Sequence, residues 1–381
     1  MAVPRTWDLF CRVIDNLGDT GVCWRLCADL AERGETVRLW IDDASALAWM
    51  APHGAPRVTV HDWHAHAHAH EHEHASADAP GDVVIEAFGC ELPAPFVERM
   101  AQRARPALWG NLEYLSAEPY VELSHRLPSP QSQGPGAGLT KWFFYPGFTE
   151  RTGGLIRERG LMQRRAAFDG VRWLASMGIA AQPGERVVSL FCYSQPALPA
   201  LLDLLSAQPT LLLCAAGSAA EQVATLLGTG MGTGMQRGGL RAVALPWLTQ
   251  LDYDHLLWAS DLNFVRGEDS FVRAQWAGAP FVWQAYPQID RAQHAKIDAF
   301  LGRHLHAVPA ALSDGVRALW AAWNGTRASL PAAWPDAGQW AHACRAWRDG
   351  LLAQTDLASQ LLGLAVGHAA GHAIGNVRET G

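Results

Sequence analysis

Residues 7–21 read WDLFCRVIDNLGDTG, and this stretch decides the fold. The apolar run from Trp7 to Ile14 is ended by Asn, Gly and Asp residues, which is typical of a buried strand followed by a turn. From Thr20 to Arg33, apolar residues recur every four positions and a glycine follows, so a helix and its C-terminus are predicted. The stretch is therefore a strand, turn and helix of an α/β sheet.

Two aspartates lie in this turn, Asp15 and Asp19. A strand-to-helix junction lies at the carboxyl edge of a parallel sheet, where open α/β folds bind their ligands. Both residues are therefore candidates for an active site. A plainer interpretation stays open at this point, in which Asp19 caps the helix and Asp15 forms the turn, because aspartate favours both positions.

The composition is that of a folded protein without a direct nucleic-acid or membrane partner. The 381 residues are 49% hydrophobic and 18% charged, and this length favours two domains. A net charge of −7 argues against a broad nucleic-acid surface. No stretch reaches the length of a membrane span, and no signal peptide is expected. The seven cysteines show no C-x-x-C spacing, so we expect reduced thiols in a cytoplasmic protein.

Two series of alternating strands and helices predict two doubly wound α/β domains. The first series has predicted strands at 9–14, 36–41, 82–88 and 107–111 and helices at 20–33 and 95–103. The second has predicted strands at 186–193, 210–215, 242–245, 262–266 and 281–284 and helices at 198–205, 219–227, 254–259 and 271–277. We expect a Rossmann-like domain at 1–155 and another at 165–350, facing each other across a cleft. The apolar helical tail at 354–381 is expected to pack back on the first domain.

Three segments are predicted to be loops. The histidine-rich segment 61–74 could bind a metal through alternating imidazoles, but a loop between two strands is the simpler interpretation. The glycine-rich segment 228–234 lacks the G-x-G-x-x-G register and is followed by a predicted strand, so a phosphate-binding role is not indicated. The segment 128–136, PSPQSQGPG, is expected to be irregular.

The second informative stretch is RGEDSFVRAQWAG, residues 266–278, which reads as strand end, turn and helix. Asp269 or Ser270 could cap the helix, and the free N–H groups of its first turn form an anion site. Arg266 adds a fixed positive charge that suits a phosphate. Glu268 has no obvious partner within the turn. The combination favours a diphosphate site.

Two further motifs are ambiguous. Phe191 and Tyr193 end the first strand of the second domain, where their rings could stack on a base or sugar or could close the core. Asp252 and Asp254 have the D-x-D spacing that holds a metal in some glycosyltransferases. Because they lead into a helix, a favourable interaction with its N-terminus explains them more simply.

Several long strings of this sequence closely resemble those of the EarP family, protein-arginine rhamnosyltransferases that modify translation elongation factor P. The strings are FCRVIDNLGD (10–19), NLEYLSAE (111–118), LPSPQ (127–131), PGFT (146–149), TGGL (152–155), RGEDSFVRAQ (266–275) and YPQ (286–288). The similarity covers essentially the whole chain. One departure is Ser194-Gln195-Pro196, where the family pattern has an acid and Asn before Pro, and the histidine-rich and glycine-rich segments look like insertions.

The resemblance implies a GT-B fold, dTDP-β-L-rhamnose as the donor, elongation factor P as the acceptor, and inversion at the anomeric carbon without a metal or other cofactor. Asp19 matches the proposed general base, Asp15 its partner beside the acceptor arginine, and Glu268 a further catalytic acid. Donor contacts are implied for six residues, namely Phe191, Tyr193, Gln250, Arg266, Asp269 and Ser270.

Two alternatives remain at this point. A GT-B transferase acting on a small molecule or lipid would use the same turn motifs, although no basic, apolar patch supports a lipid. A nucleotide-sugar-binding protein without catalysis is less consistent with three retained acids, Asp15, Asp19 and Glu268.

Overall fold

The structure is a computed structural model that describes residues 4–15, 17–63, 79–228, 235–288 and 291–378, with side chains as far as residue 370. It separates into two compact units. The first comprises the chain up to residue 159, except 49–51, together with the chain from residue 354 onward. The second comprises residues 49–51 and 160–353.

The first unit is built on a seven-stranded sheet. Its strands are β1 Thr6–Cys11, β2 Thr36–Ile41, β3 Val58–Asp62, β4 Val83–Ala87, β5 Leu108–Leu112, β6 Pro128–Pro130 and β7 Thr140–Phe144. Their order is β3-β2-β1-β4-β5-β7-β6, and β6 alone among these strands is antiparallel to its neighbour.

The second unit repeats this arrangement with six strands. They are β8 Arg186–Leu190, β9 Thr210–Cys214, β10 Met235–Arg237, β11 Leu240–Ala244, β12 Leu262–Arg266 and β13 Phe281–Gln284. Their order is β10-β11-β9-β8-β12-β13, with β10 antiparallel at one edge. Both sheets thus place their first strand centrally and reverse their strand order beside it, which is Rossmann-like topology.

Helices connect the strands. In chain order they are α1 Gly18–Glu32, α2 Leu47–Met50, α3 Ala94–Ala101, α4 Tyr120–Ser124, α5 Leu161–Ala166, α6 Gly170–Ser176, α7 Leu198–Ser206, α8 Ser218–Leu227, α9 Gln250–Ala259, α10 Asp269–Ala277, α11 Ala292–His304, α12 Ala310–Trp323, α13 Ala337–Leu352 and α14 Leu357–Arg378. None of the helices in the described part of the chain combines the length and apolarity needed to cross a membrane.

The central strands of the first unit are buried along most of their length, as in β1, where every residue from Trp7 to Cys11 is buried. Phe10 of β1 is fully buried, with its ring stacked on Trp40 at 5.7 Å and edge-on to Phe96 of α3 at 4.8 Å. A parallel sheet covered by helices buries both faces of its strands, so the alternation of apolar and polar residues is lost.

The last helix is held in the first unit by an arginine that follows α1. Arg33 donates from Nε to Asp29 at 2.9 Å and from Nη1 to Ser359 at 2.6 Å, and its Nη2 lies 2.9 Å from a carboxylate oxygen of Asp356. The guanidinium therefore links α1 with the start of α14.

Three predicted element boundaries and one predicted loop differ most from the structure. The first strand ends at Cys11, and Ile14 is 57% exposed. Strand β8 ends at Leu190, so Phe191 and Tyr193 lie beyond it. The predicted loop at 128–136 contains β6, which tolerates two prolines because it lies at the sheet edge. Helix α9 begins four residues before Asp254, because the Thr249 side chain accepts the N–H of Asp252 and caps it.

The histidines at 64–74 and residues 229–234 lie outside the described residues. Strand β10 follows the second of these segments, at Met235.

Candidate active site

The predicted site residues gather at two places, one in each unit. In the first unit the strand order reverses between β1 and β4, and Asp15 and Asp19 follow β1. In the second it reverses between β8 and β12, and these two strands lead into Phe191 and Arg266. Crevices at the carboxyl ends of such strands are the usual ligand sites of open α/β sheets.

Asp19 is a buried carboxylate that holds the loop before its own helix. It is 2% exposed and lies in the first turn of α1. Its Oδ2 accepts the N–H groups of Ile14 at 2.8 Å and Asp15 at 2.9 Å, and its Oδ1 accepts the hydroxyl of Tyr114 at 3.3 Å. The N-cap position is Leu17 and has no side-chain cap, so the interpretation of Asp19 as a helix cap is wrong.

Burial raises the pKa of the Asp19 carboxyl above its ordinary value, and the charge of Asp15 raises it further. The three hydrogen bonds act in the opposite direction, because they favour the ionised form. Asp19 is thus a stronger base than a solvated aspartate, in a position fixed by the loop.

Asp15 forms the turn that brings it beside Asp19. Its carbonyl accepts the N–H groups of Gly18 at 2.8 Å and Asp19 at 3.2 Å. A Cβ atom at position 18 would lie 2.5 Å from Asp15 Oδ2, so a larger residue there would displace this carboxylate from its observed position. The half-buried Asp15 therefore lies in the turn directly before the helix that carries the buried Asp19.

Residues after β4 and β5 complete this edge of the sheet. Tyr114 stacks on Phe88, with ring centroids 4.3 Å apart and planes at 10°. Phe88 has a left-handed backbone with φ of 60°, which is uncommon for a residue with a bulky side chain. Gly89, which follows Phe88, donates its N–H to Oδ1 of Asn111 at 3.1 Å.

In the second unit, Arg266 lies between two aromatic rings. Its guanidinium carbon is 4.4 Å from the ring centroid of Phe191 and 4.3 Å from that of Tyr193. Two cation–π contacts place a fixed positive charge at the end of β12. The structure thus brings together three of the residues expected to bind the donor.

Ser270 fixes the backbone of this turn. Its Oγ accepts the N–H of Arg266 at 3.0 Å and donates to the carbonyl oxygen of the same residue. Gly267 has φ of 62°, a left-handed conformation that glycine adopts without strain. The prediction that Asp269 or Ser270 caps α10 is wrong, because Glu268 occupies the N-cap position, without a side-chain capping bond.

The predicted catalytic acid Glu268 and the remaining predicted donor residues lie at the starts of two helices, α10 and α9. Glu268 and Asp269 are half-buried at the beginning of α10, whose N-terminal N–H groups favour an anion. Gln250 is the first residue of α9. From the same helix, Tyr253 packs edge-on against Phe191 at 5.7 Å.

The D-x-D pair serves structural contacts. Asp254 forms a two-bond ion pair with Arg273, at 2.8 Å to Nε and 2.6 Å to Nη2, and both side chains are buried. Asp252 accepts the hydroxyl of Thr249 at 2.8 Å and the indole N–H of Trp173 at 3.2 Å. Across the described ranges, His, Cys, Asp and Glu side chains form no group of three that could hold a metal ion.

Gln195, in the segment that departs from the family pattern, is also structural. It is 5% exposed, donates to the carbonyl of Trp323 at 2.9 Å and accepts the N–H of Ala197 at 3.0 Å. It shapes the loop that follows Tyr193.

Sequence reasoning assigned no role to Tyr114, Phe88 or Arg273. Tyr114 and Arg273 lie inside the strings that carry the family resemblance, but their partners are 95 and 19 residues away. Only the closing of the sheet brings them together. The predicted meeting of Asp15 and Asp19 with Glu268 stays a prediction, because these acids belong to different units.

The model of the family described as Elongation-Factor P (EF-P) rhamnosyltransferase EarP matches residues 7–365. The protein-arginine rhamnosyltransferase of Pseudomonas aeruginosa is 43% identical over 372 residues, covering 94% of this chain and 98% of the relative. That of Pseudomonas putida is 44% identical over 376 residues, covering 94% and 97%.

Solved structures of glycosyltransferases share the fold of this chain. One described as the structural basis for EarP-mediated arginine glycosylation of translation elongation factor EF-P has a TM-score of 0.66 at 32% identity, covering 95% of this chain and 99% of that one. The spinosyn rhamnosyltransferase SpnG has a TM-score of 0.52 at 13% identity, covering 94% and 99%, which shows a shared fold. The predicted GT-B fold is confirmed.

Proposed function

Because the chain belongs to the EarP family and is a glycosyltransferase, we propose that it transfers L-rhamnose from dTDP-β-L-rhamnose to an arginine of translation elongation factor P. The proposal includes inversion at the anomeric carbon and no metal. The observation that carries it is the buried Asp19, held beside Asp15 at the carboxyl edge of the sheet. A carboxylate base is what an arginine nucleophile requires.

The acceptor sets the main chemical difficulty. A free guanidinium has a pKa of about 13.8, and an ordinary aspartic acid about 3.9. Full proton transfer before attack would cost on the order of 13 kcal/mol. We therefore propose that Asp15 and Asp19 orient the guanidinium through charge-assisted hydrogen bonds. Its proton passes to Asp19 late, as the C–N bond forms at a centre resembling an oxocarbenium ion.

The second unit supplies the donor contacts in this proposal. The bond from the anomeric carbon to the diphosphate oxygen breaks as the C–N bond forms, and negative charge grows on dTDP. Arg266 and the first turn of α10 stabilise that charge. Phe191 and Tyr193 offer rings for stacking, and Gln250, Asp269 and Ser270 line the same edge. Glu268 assists at the reacting centre.

The test is to incubate the purified protein with elongation factor P and dTDP-β-L-rhamnose in the presence of EDTA. We expect intact mass to show the gain of one deoxyhexosyl group, peptide mapping to place it on a single arginine, and NMR to show an α-linked product. A factor in which that arginine is replaced by lysine is the control. An unmodified factor, with rhamnose transferred to a small-molecule acceptor, would contradict the proposed acceptor.

A further inference from the structure

The two oxygens of the Asp19 carboxylate accept different numbers of hydrogen bonds. Oδ2 accepts two backbone N–H groups, from Ile14 and Asp15, and these occupy both of its lone pairs. Oδ1 accepts the hydroxyl of Tyr114, which occupies one lone pair. Oδ1 therefore keeps the capacity to take one proton from a substrate.

Tyr114 itself is held from two sides. Its ring stacks on Phe88, whose left-handed backbone directs the chain after β4 toward the residues after β5. The N–H of Phe88 donates to the carbonyl of Leu112 at 2.6 Å, and Gly89 donates to Asn111. The phenol is thus a rigid donor fixed by β4 and β5, while Asp19 belongs to the segment after β1.

We propose that Tyr114 is a positioning residue for the transfer reaction, which fixes Oδ1 of Asp19 as the atom that accepts the guanidinium proton. This inference rests on the proposed function. The two amide groups hold the carboxylate by one oxygen and leave it free to rock about that end. The phenol, which donates to the other oxygen, restricts this motion and leaves one lone pair of Oδ1 for the substrate.

The groups that face Asp19 make its titration sensitive to this one bond. Asp15 is in the turn before α1, Cys23 is on α1 with Asp19, and Tyr114 follows β5. Burial raises the pKa of Cys23 well above its ordinary value, so the thiol is neutral. The bond from Tyr114 lowers the pKa of Asp19, because it stabilises the ionised carboxylate.

The decisive variant is Tyr114→Phe, which keeps the ring stacked on Phe88 and removes only the hydroxyl. We expect kcat to fall about tenfold, as for loss of one hydrogen bond to a charged group, while KM for dTDP-rhamnose stays the same. In a plot of kcat against pH, the acid limb should move to higher pH, because the pKa of Asp19 is higher without the bond from Tyr114. Tyr145→Phe, on the neighbouring strand end, is the matched control and should leave that limb in place.

A second measurement does not depend on activity. Carboxyl ¹³C NMR of Asp-labelled protein, with the Asp19 signal assigned from Asp19→Asn, should show a higher Asp19 pKa in Tyr114→Phe than in wild type. An unchanged Asp19 titration would overturn the proposal even in an active enzyme. A raised pKa in a protein that transfers no rhamnose would contradict the proposed function and leave the Tyr114 contact standing. A loss of kcat with no shift of the acid limb would show that Tyr114 is only structural.

Discussion

Asp19 combines a stability cost with a chemical advantage. Because its pKa is raised in the folded protein, the stability it contributes is fully present below the unfolded pKa, about 3.9, and is lost as pH rises through the folded value. At neutral pH the ionised side chain is therefore destabilising. The same burial makes it a better base.

Asp19→Asn should separate these two effects. We expect kcat to fall by roughly 10²- to 10⁴-fold, the usual contribution of a general base, with unchanged affinity for dTDP. The melting temperature should equal or exceed that of wild type at pH 7.5, since the amide oxygen still accepts the two N–H groups. The excess over wild type should shrink toward pH 4. Enzyme assays and thermal melts measure both.

Asp42→Asn is the matched control. Its Oδ1 accepts the N–H of Val13 at 2.8 Å, so it supports the same loop from outside the carboxylate pair. The control should change kcat by less than a few fold. If Asp19→Asn keeps near-normal turnover, Asp19 is not the base.

Variants of Arg266 test whether this residue binds the donor nucleotide. Arg266→Met should weaken dTDP binding about 10- to 100-fold, because a charge-assisted contact contributes about 1.5–3 kcal/mol. Arg266→Lys should recover little, since lysine lacks the planar group that lies between Phe191 and Tyr193. Calorimetry with dTDP measures both, and Arg237→Met, at a partly exposed ion pair, is the control. Unchanged affinity in Arg266→Met would remove this residue from the donor site.

At the scale of elements, the sequence predicts strands better than it predicts the contacts between them. Strands β2, β12 and β13 have the predicted bounds, because apolar runs between turn residues carry local information. The pattern did not predict β6, whose prolines are tolerated only because its edge position leaves their missing N–H groups without consequence.

In the candidate site, too, the sequence predicts the positions of residues along the chain better than the contacts between them. Arg266, Phe191 and Tyr193 could be chosen from the sequence because each lies at the end of a predicted strand. That the guanidinium lies between the two rings depends on the pairing of β12 with β8. Tyr114 was missed because its bond to Asp19 spans the sheet and has no local signal.

The ion pair between Asp254 and Arg273 joins the two helices that begin with predicted donor residues. Arg273→Met leaves a buried carboxylate without its partner and should lower the free energy of unfolding by about 3–5 kcal/mol. The double variant Asp254→Leu with Arg273→Met should recover most of that loss, because two apolar side chains leave no buried charge. Urea denaturation measures the free energies of unfolding of these variants.

The exposed ion pair between Arg237 and Asp203 provides the comparison. Arg237→Met should cost less than about 1 kcal/mol, since water screens the pair. A loss from Arg273→Met as small as that of this control would show that the buried pair contributes little.

At the scale of the whole molecule, we expect a buried histidine to make the stability of the second unit sensitive to acid. His304 of α11 is 5% exposed, and its ring stacks on Phe300 at 5.2 Å. Burial lowers its pKa to about 3. The pKa of His304 in the folded protein is below the unfolded value of about 6.5. The contribution of His304 to the free energy of unfolding is therefore fully present above pH 6.5 and is lost as pH falls toward 3.

Between pH 7 and pH 5 we expect His304 to remove about 2 kcal/mol of stability. His304→Phe should show a correspondingly smaller loss over this range, and the exposed His306→Gln should behave as wild type. Urea denaturation at both pH values, with hydrogen exchange to identify α11, distinguishes the variants. Equal pH dependence in wild type and His304→Phe would show that other groups govern acid stability.

The link from Arg33 to Asp356 and Ser359 has a consequence for biosynthesis. A ribosome synthesises residues 160–353 before α14, so the second unit has all of its segments before the first unit does. The first unit receives the contacts of Arg33 with Asp356 and Ser359 only after α14 has been synthesised. A chain that stopped before α14 would therefore be impaired in the first unit, which carries Asp19, although most of that unit is synthesised before the second.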